Sequence, residues 1–188
     1  MVLKFFNREK DYSWKELERI TAKVEGQWTW PIAAMIWLSE SGYEVVDIEL
    51  FDYEKFSLEG KGYLQEMFGN EIAEAQDKHT SLEQEQKLSK KLLKYVDVRV
   101  RIPDLSDLKK FIDDGYLVIC NINSARLKDV EGYLPHSVVV WGHEDETLLL
   151  HNPGLPPAEN QRVSMDEFER AWAFPNESGK NILAVRQK

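Results

Sequence analysis

An α+β fold is what this chain of 188 residues predicts. Helix-start signals and amphipathic stripes fill the first half, alternating apolar segments fill the second, and that segregation of helices from mostly antiparallel strands is the α+β pattern. Hydrophobic residues make up 43%, with six Trp, seven Tyr and eight Phe, so a real core is available. A chain of this length reads as one domain over residues 1–188, since domains run to roughly 150 residues. Four starts pair a small polar residue with an acid three positions on: Ser13/Glu16, Thr80/Glu83, Asp104/Asp107 and Ser164/Glu167. One side chain accepts from an orphan N–H and the other answers it. Trp14, Leu17, Ile20, Ala22 and Val24 then form a short amphipathic helix ending at Gly26. Pro31 suits a first helical turn, and the following Ile32 to Leu38 is apolar all round, the mark of a buried helix. Beyond Gly42, YEVVDIEL reads as a strand.

Residues 54–96 are rich in Glu, Lys and Gln and carry two apolar stripes, Leu64, Met67, Phe68, Ile72, Ala75 and Leu82, Leu88, Leu92, Val96. They predict a helical insertion of two or three helices whose charges face solvent. Val98 to Ile102 then alternates, a helix follows from Asp104 to about Asp113, and strands are expected at Tyr116–Ile122, Ser137–Trp141, Leu148–Leu150 and Ile182–Val185. NPGLPPAEN, residues 152–160, is a proline-rich turn stretch that shapes a rim or serves as a rigid connector.

Composition narrows the function. Twenty-four Lys plus Arg against 33 Asp plus Glu leaves a net charge of −9, which opposes phosphate-backbone binding, so nucleic acid is not an expected partner. The longest apolar run is Trp30 to Leu38, well short of the ~20 residues that cross a bilayer, and MVLKFFNREKD lacks a signal-peptide core. A cytoplasmic protein, with no membrane partner, is expected. The single Cys120 excludes an internal disulfide and a cysteine-built zinc site. No cofactor and no metal is expected.

The most informative segment is PHSVVVWGHEDETLLLHNPG, residues 135–154. It predicts an antiparallel hairpin around a loop at His143 to Asp145, with Val140 facing Leu148, Val138 facing Leu150 and His136 facing Asn152. Opposed residues point to the same side, with Cβ atoms ~5 Å apart. His136 and Asn152 then form one half of a Cys-His-Asn arrangement, in which the amide orients the imidazole that takes the nucleophile's proton; the alternative is a histidine that merely ends a strand. His143 falls in the turn, on the order of 20 Å from His136, and His151 points to the opposite face, so the three histidines make no metal site. Asn121, Asn123 and Ser124 leave the end of the Cys120 strand, where they line a cleft or cap the next turn.

The buried helix with Ala33-Ala34, then GYLVICNIN, then His-Ser-Val-Val-Val-Trp-Gly and His-Asn-Pro-Gly, resembles the peptidase C39-like group of papain-fold cysteine peptidases over roughly residues 26–152. The resemblance implies a papain-like fold, with His136 in the place of the catalytic histidine and Asn152 in that of its orienting partner. It also implies a nucleophilic cysteine at the start of the central helix, where this chain has Trp30-Pro31-Ile32-Ala33-Ala34. Trp30 thus stands in the nucleophile's position, and an indole does not attack a carbonyl. The family's oxyanion-stabilising Gln lies about six residues earlier, where this chain has Val24; Gln27 is the nearest substitute. Two of the four parts are missing.

The function expected is therefore that of a non-proteolytic C39-like pseudoenzyme that binds a peptide-like or small-molecule ligand, or a protein partner. A hydrolase or acyl transferase using Thr29 or a His136-activated water is the alternative, and an interaction protein working through the insertion is a third. Trp28 to Pro31 form an aromatic plug, a binding surface or plain core packing. Cys120, inside an apolar strand, reads as an inert small hydrophobe.

Overall fold

Three of the four capping boxes form. Ser13, Asp104 and Ser164 each accept from the backbone three residues on while the acid returns the bond. They start helices in the computed structural model, which describes residues 1–127, 130–154 and 156–188. Ten α-helices and seven strands are found among the described residues. In chain order they are α1 (Val2–Phe6), α2 (Trp14–Ile20), α3 (Ile32–Glu40), β1 (Tyr43–Glu49), α4 (Tyr53–Glu59), α5 (Lys61–Phe68), α6 (Asn70–His79) and α7 (Leu82–Leu92). Then come β2 (Asp97–Val100), α8 (Leu105–Asp113), β3 (Leu117–Asn123), α9 (Ser124–Leu127), β4 (Pro135–Glu144), β5 (Thr147–Asn152), β6 (Ala158–Ser164), α10 (Met165–Trp172) and β7 (Ile182–Gln187). The arrangement is α+β.

The chain forms two compact units. Setting aside Met1 and Val2, one comprises Leu3–Tyr43 and Phe51–Asp97, the other Glu44–Leu50 and Val98–Lys188. In the first, the insertion makes four helices where two or three were expected. Gly60 (φ 55°) and Gly69 (φ 86°) take backbone conformations that L side chains rarely adopt; Gly60 separates α4 from α5, and Gly69 breaks the first stripe between Phe68 and Ile72. Phe56, Tyr63, Leu64, Ala73 and Leu82 form this unit's aromatic-rich core cluster. The fourth capping box does not form. Thr80 spends its hydroxyl on Gln76 Oε1 (3.2 Å), and α7 is capped by Ser81 without a side-chain bond. The α2 helix stops at Ile20, short of the expected Gly26, and Ala22 follows at φ 51°.

The second unit holds the sheet, in the order β2-β1-β7-β3-β4-β5-β6. The pairs β3/β4, β3/β7, β4/β5 and β5/β6 are antiparallel. Alternate residues Val118, Cys120, Ile122, Val138, Val140, Leu148 and Leu150 join Leu108 and Phe111 of α8 and Phe168, Ala171 and Trp172 of α10 in one core. Burial of such side chains is the main stabilising contribution, about 1.5–3 kcal/mol each for the large aliphatic and aromatic ones. The β6 strand is absent from the sequence expectation. It is an edge strand with a single buried position, Val163, so its composition is that of a loop. No helix among the described residues is long and apolar enough to cross a membrane.

Candidate functional site

The hairpin of β4 and β5 brings His136 and Asn152 together by a register different from the expected one. Its turn is the two residues Asp145 and Glu146, between the paired Glu144 and Thr147, with Asp145 at φ 48°. His143 is consequently a strand residue opposite Leu148, and its Nε2 meets Asp113 Oδ1 at 2.8 Å. A register shift between Val140 and Gly142 leaves Trp141 as the extra residue, and beyond it Val140 faces Leu150 instead of Leu148. Continuing that ladder sets His136 across from Gly154, which makes Asn152 its diagonal neighbour. A slip of two keeps every side chain on its face, and diagonal neighbours remain within reach of long side chains. His136 Nε2 accordingly lies 2.7 Å from Asn152 Oδ1.

The hydrogen bonds around Asn152 fix which proton the imidazole carries. Gly154 N–H, an unambiguous donor, points at Asn152 Oδ1 (3.0 Å), so the atom nearest His136 is the carbonyl oxygen. Asn152 Nδ2 donates to Gln161 Oε1 of β6 at 3.1 Å. An oxygen that only accepts requires His136 Nε2 to be the donor. In the neutral ring the lone pair is then on Nδ1, which has no hydrogen-bond partner among the described residues. Gly154 belongs to the same unit of design: a Cβ there would lie 3.0 Å from Asn152 Oδ1 and 3.5 Å from His136 Nε2. Neither Gly154 nor Gln161 was found by sequence reasoning. The NPG run marks the first, but the second sits in a strand that composition conceals.

Beside the pair is an open cleft of about 460 Å³ lined by Asn121, Tyr133, Pro135, His136, Ser137 and Pro153. Asn121 and Ser137 face each other across β3 and β4, and the serine hydroxyl donates to Asn121 Oδ1 at 2.7 Å. Of the three polar residues expected at the end of β3, only Asn121 lines the cleft. Asn123 and Ser124 hold the turn that follows. The proline-rich stretch supplies Pro153 to the rim and its last residues enter β6; Leu155 within it lies outside the described residues.

Apart from Cys120, the remaining sequence candidates belong to the first unit. Trp30 precedes Pro31, which caps α3, and its indole N–H donates to Gln76 Oε1 (3.0 Å) while its ring packs against Phe51 and Phe56. Core packing is thus its observed role within that unit. Trp28 is half-exposed and stacks on His79 with centroids 4.9 Å apart. Thr29 is exposed. Gln27 donates its backbone N–H to Val24 and accepts the Lys23 ammonium on its backbone carbonyl. In the insertion Leu64 and Leu92 are buried, Met67 and Leu88 partly so, and Phe68 and Ile72 are exposed. Cys120 is fully buried, and burial pushes its thiol far up from the ordinary range, which keeps it protonated and unreactive. No protein-family model matches the sequence, and no curated protein matches it.

Proposed function

We propose that this chain is a papain-like domain of the C39 type without thiol catalysis, whose cleft beside His136 binds a peptide-like ligand or an extended segment of a protein partner in the cytoplasm. The observation that carries this reading is the oriented pair: Asn152 holds His136 Nε2–H and leaves Nδ1 without a partner among the described residues, at the edge of an open cleft. A strand-ending histidine with a merely structural role has no need of an amide that is itself fixed from two sides. Missing chemistry argues against proteolysis. The one thiol is sealed in the core, and position 30 carries an indole engaged in packing.

An Nδ1 with no partner among the described residues also favours a second reading, a hydrolase or acyl transferase in which a water gives its proton to His136. A general base acts on a hydroxyl or water within about 3 Å. One experiment separates the two. The full chain is incubated with p-nitrophenyl acetate and with a mixture of acetylated, amidated peptides, and turnover and amide chemical shifts are recorded. The binding reading expects shifts at residues 121, 133, 134, 136, 137, 152 and 154 without turnover. Ester or peptide turnover that His136→Ala abolishes would establish the enzyme instead, and an unperturbed cleft would remove the ligand reading.

A further inference from the structure

Resting on the reading of the cleft as a peptide site, we infer that Tyr133 is a preorganised platform for an aromatic or proline side chain of an uncharged, extended peptide, with Asn121 and Ser137 reading the backbone beside it. Tyr133 is 59% exposed, yet both its ring and its main chain are held. Its ring stacks on Phe174 (centroids 5.2 Å, planes 19° apart), and the Arg126 guanidinium lies 5.4 Å from the Phe174 ring. On either side of Tyr133 the buried Asn123 clamps the chain: Nδ2 donates to Gly132 O (2.9 Å) and Oδ1 accepts from Leu134 N–H (2.9 Å). Asn123 is 1% exposed, and Ser124 adds bonds from its N–H and its hydroxyl to Leu134 O.

Stacking on Phe174 accounts for the covered face of the ring, but the exposed face does nothing for folding, because apolar surface stabilises only when it leaves water. What such an arrangement does favour is binding. The ordering cost of the site is met before the ligand arrives, and tyrosine offers a large flat contact with few torsions to freeze. The cleft also limits the ligand's chemistry. Among the described residues its lining includes no Asp, Glu, Lys or Arg, and Pro135 and Pro153 present flat apolar edges. Asn121 Oδ1 accepts the serine hydroxyl and its Nδ2 has no partner among the described residues, which leaves it to donate to a peptide carbonyl, while the Ser137 oxygen keeps lone pairs for a peptide N–H. A peptide unit presents one such acceptor and one such donor.

The test titrates ¹⁵N-labelled full chain with acetyl-Gly-X-Gly-amide peptides in which X is Phe, Pro, Gly or Glu. Phe and Pro peptides are expected to bind roughly threefold to tenfold tighter than the Gly peptide, the scale of a single aromatic contact, and the Glu peptide no tighter than Gly. Tyr133→Ala should erase the preference and Tyr133→Phe should keep it. Equal binding of all four peptides that still shifts His136, with Tyr133→Ala without effect, overturns the platform and leaves the peptide site standing. Shifts at no residue of the cleft overturn both.

Discussion

His136 shows how much a single contact can survive an error in register. Its meeting with Asn152 was legible because both positions share a parity, and parity decides the face of a strand. The ladder itself was not legible: a two-residue turn and an extra residue at Trp141 are backbone events that the apolar pattern SVVVWG does not encode. The bond network predicts that neutral His136 is the Nε2–H tautomer, which long-range ¹H–¹⁵N correlation of the imidazole reads directly. Asn152→Ala should release that bias and, by orphaning the Gly154 N–H and the Gln161 amide, cost about 1–2 kcal/mol. A ring that stays Nε2-protonated in the variant would show that something other than Asn152 orients it. Gly154→Ala tests the same pair from outside, since its Cβ would meet Asn152 Oδ1 at 3.0 Å. The tautomer bias should weaken there too, with Asn152 unchanged.

Elements were legible where local chemistry and tertiary packing agree. The boxes at Ser13, Asp104 and Ser164 formed because each opens a helix after extended backbone, whereas Thr80 follows directly on α6 and bonds back to Gln76. Replacing Ser164 by Ala should therefore cost about 1 kcal/mol in urea unfolding, while Ser81→Ala, with no cap bond to lose, should stay within about 0.5 kcal/mol. Equal losses at the two sites would contradict the caps as described. Helix breaks in the insertion were illegible because a glycine inside a charged helical pattern does not announce its φ. Gly60 needs its glycine for the backbone, because φ 55° with ψ −120° strains any residue with a Cβ, while the Gln86 amide that such a Cβ would approach can swing aside. Gly60→Ala should cost about 1–3 kcal/mol, against a small change at Gly62, where a Cβ meets open space.

Over the whole molecule, a net charge of −9 and the long Glu- and Lys-rich run suggest a protein whose acids all face water. Two do not. Asp47 of β1 is buried, and Glu85 lies on the inward face of α7 with Leu82, Ser89 and Leu92, a stripe the sequence hides because Leu88 invites a different face. Glu85 Oε2 and the Ser89 hydroxyl have no hydrogen-bond partner among the described residues, and burial raises the Glu85 carboxyl from its ordinary 4.5 to about 7. The consequence is a pH dependence of global stability with a definite sign. Below pH 4.5 the group is protonated folded and unfolded, and it costs nothing. As pH rises towards 7 the unfolded chain has released a proton that the folded one still holds, so stability falls, and above about 7 the loss is complete. At 1.36 kcal/mol per pH unit that loss is about 3 kcal/mol. Urea unfolding of the parent and Glu85→Gln between pH 4 and 8 isolates it, because every other acid is common to both proteins. The curves should nearly coincide near pH 4 and diverge with rising pH, the Gln variant being the more stable by about 3 kcal/mol at pH 8. Parallel curves would mean that the carboxylate ionises in the folded protein without penalty, and α7 would then have to open its buried face to water at neutral pH.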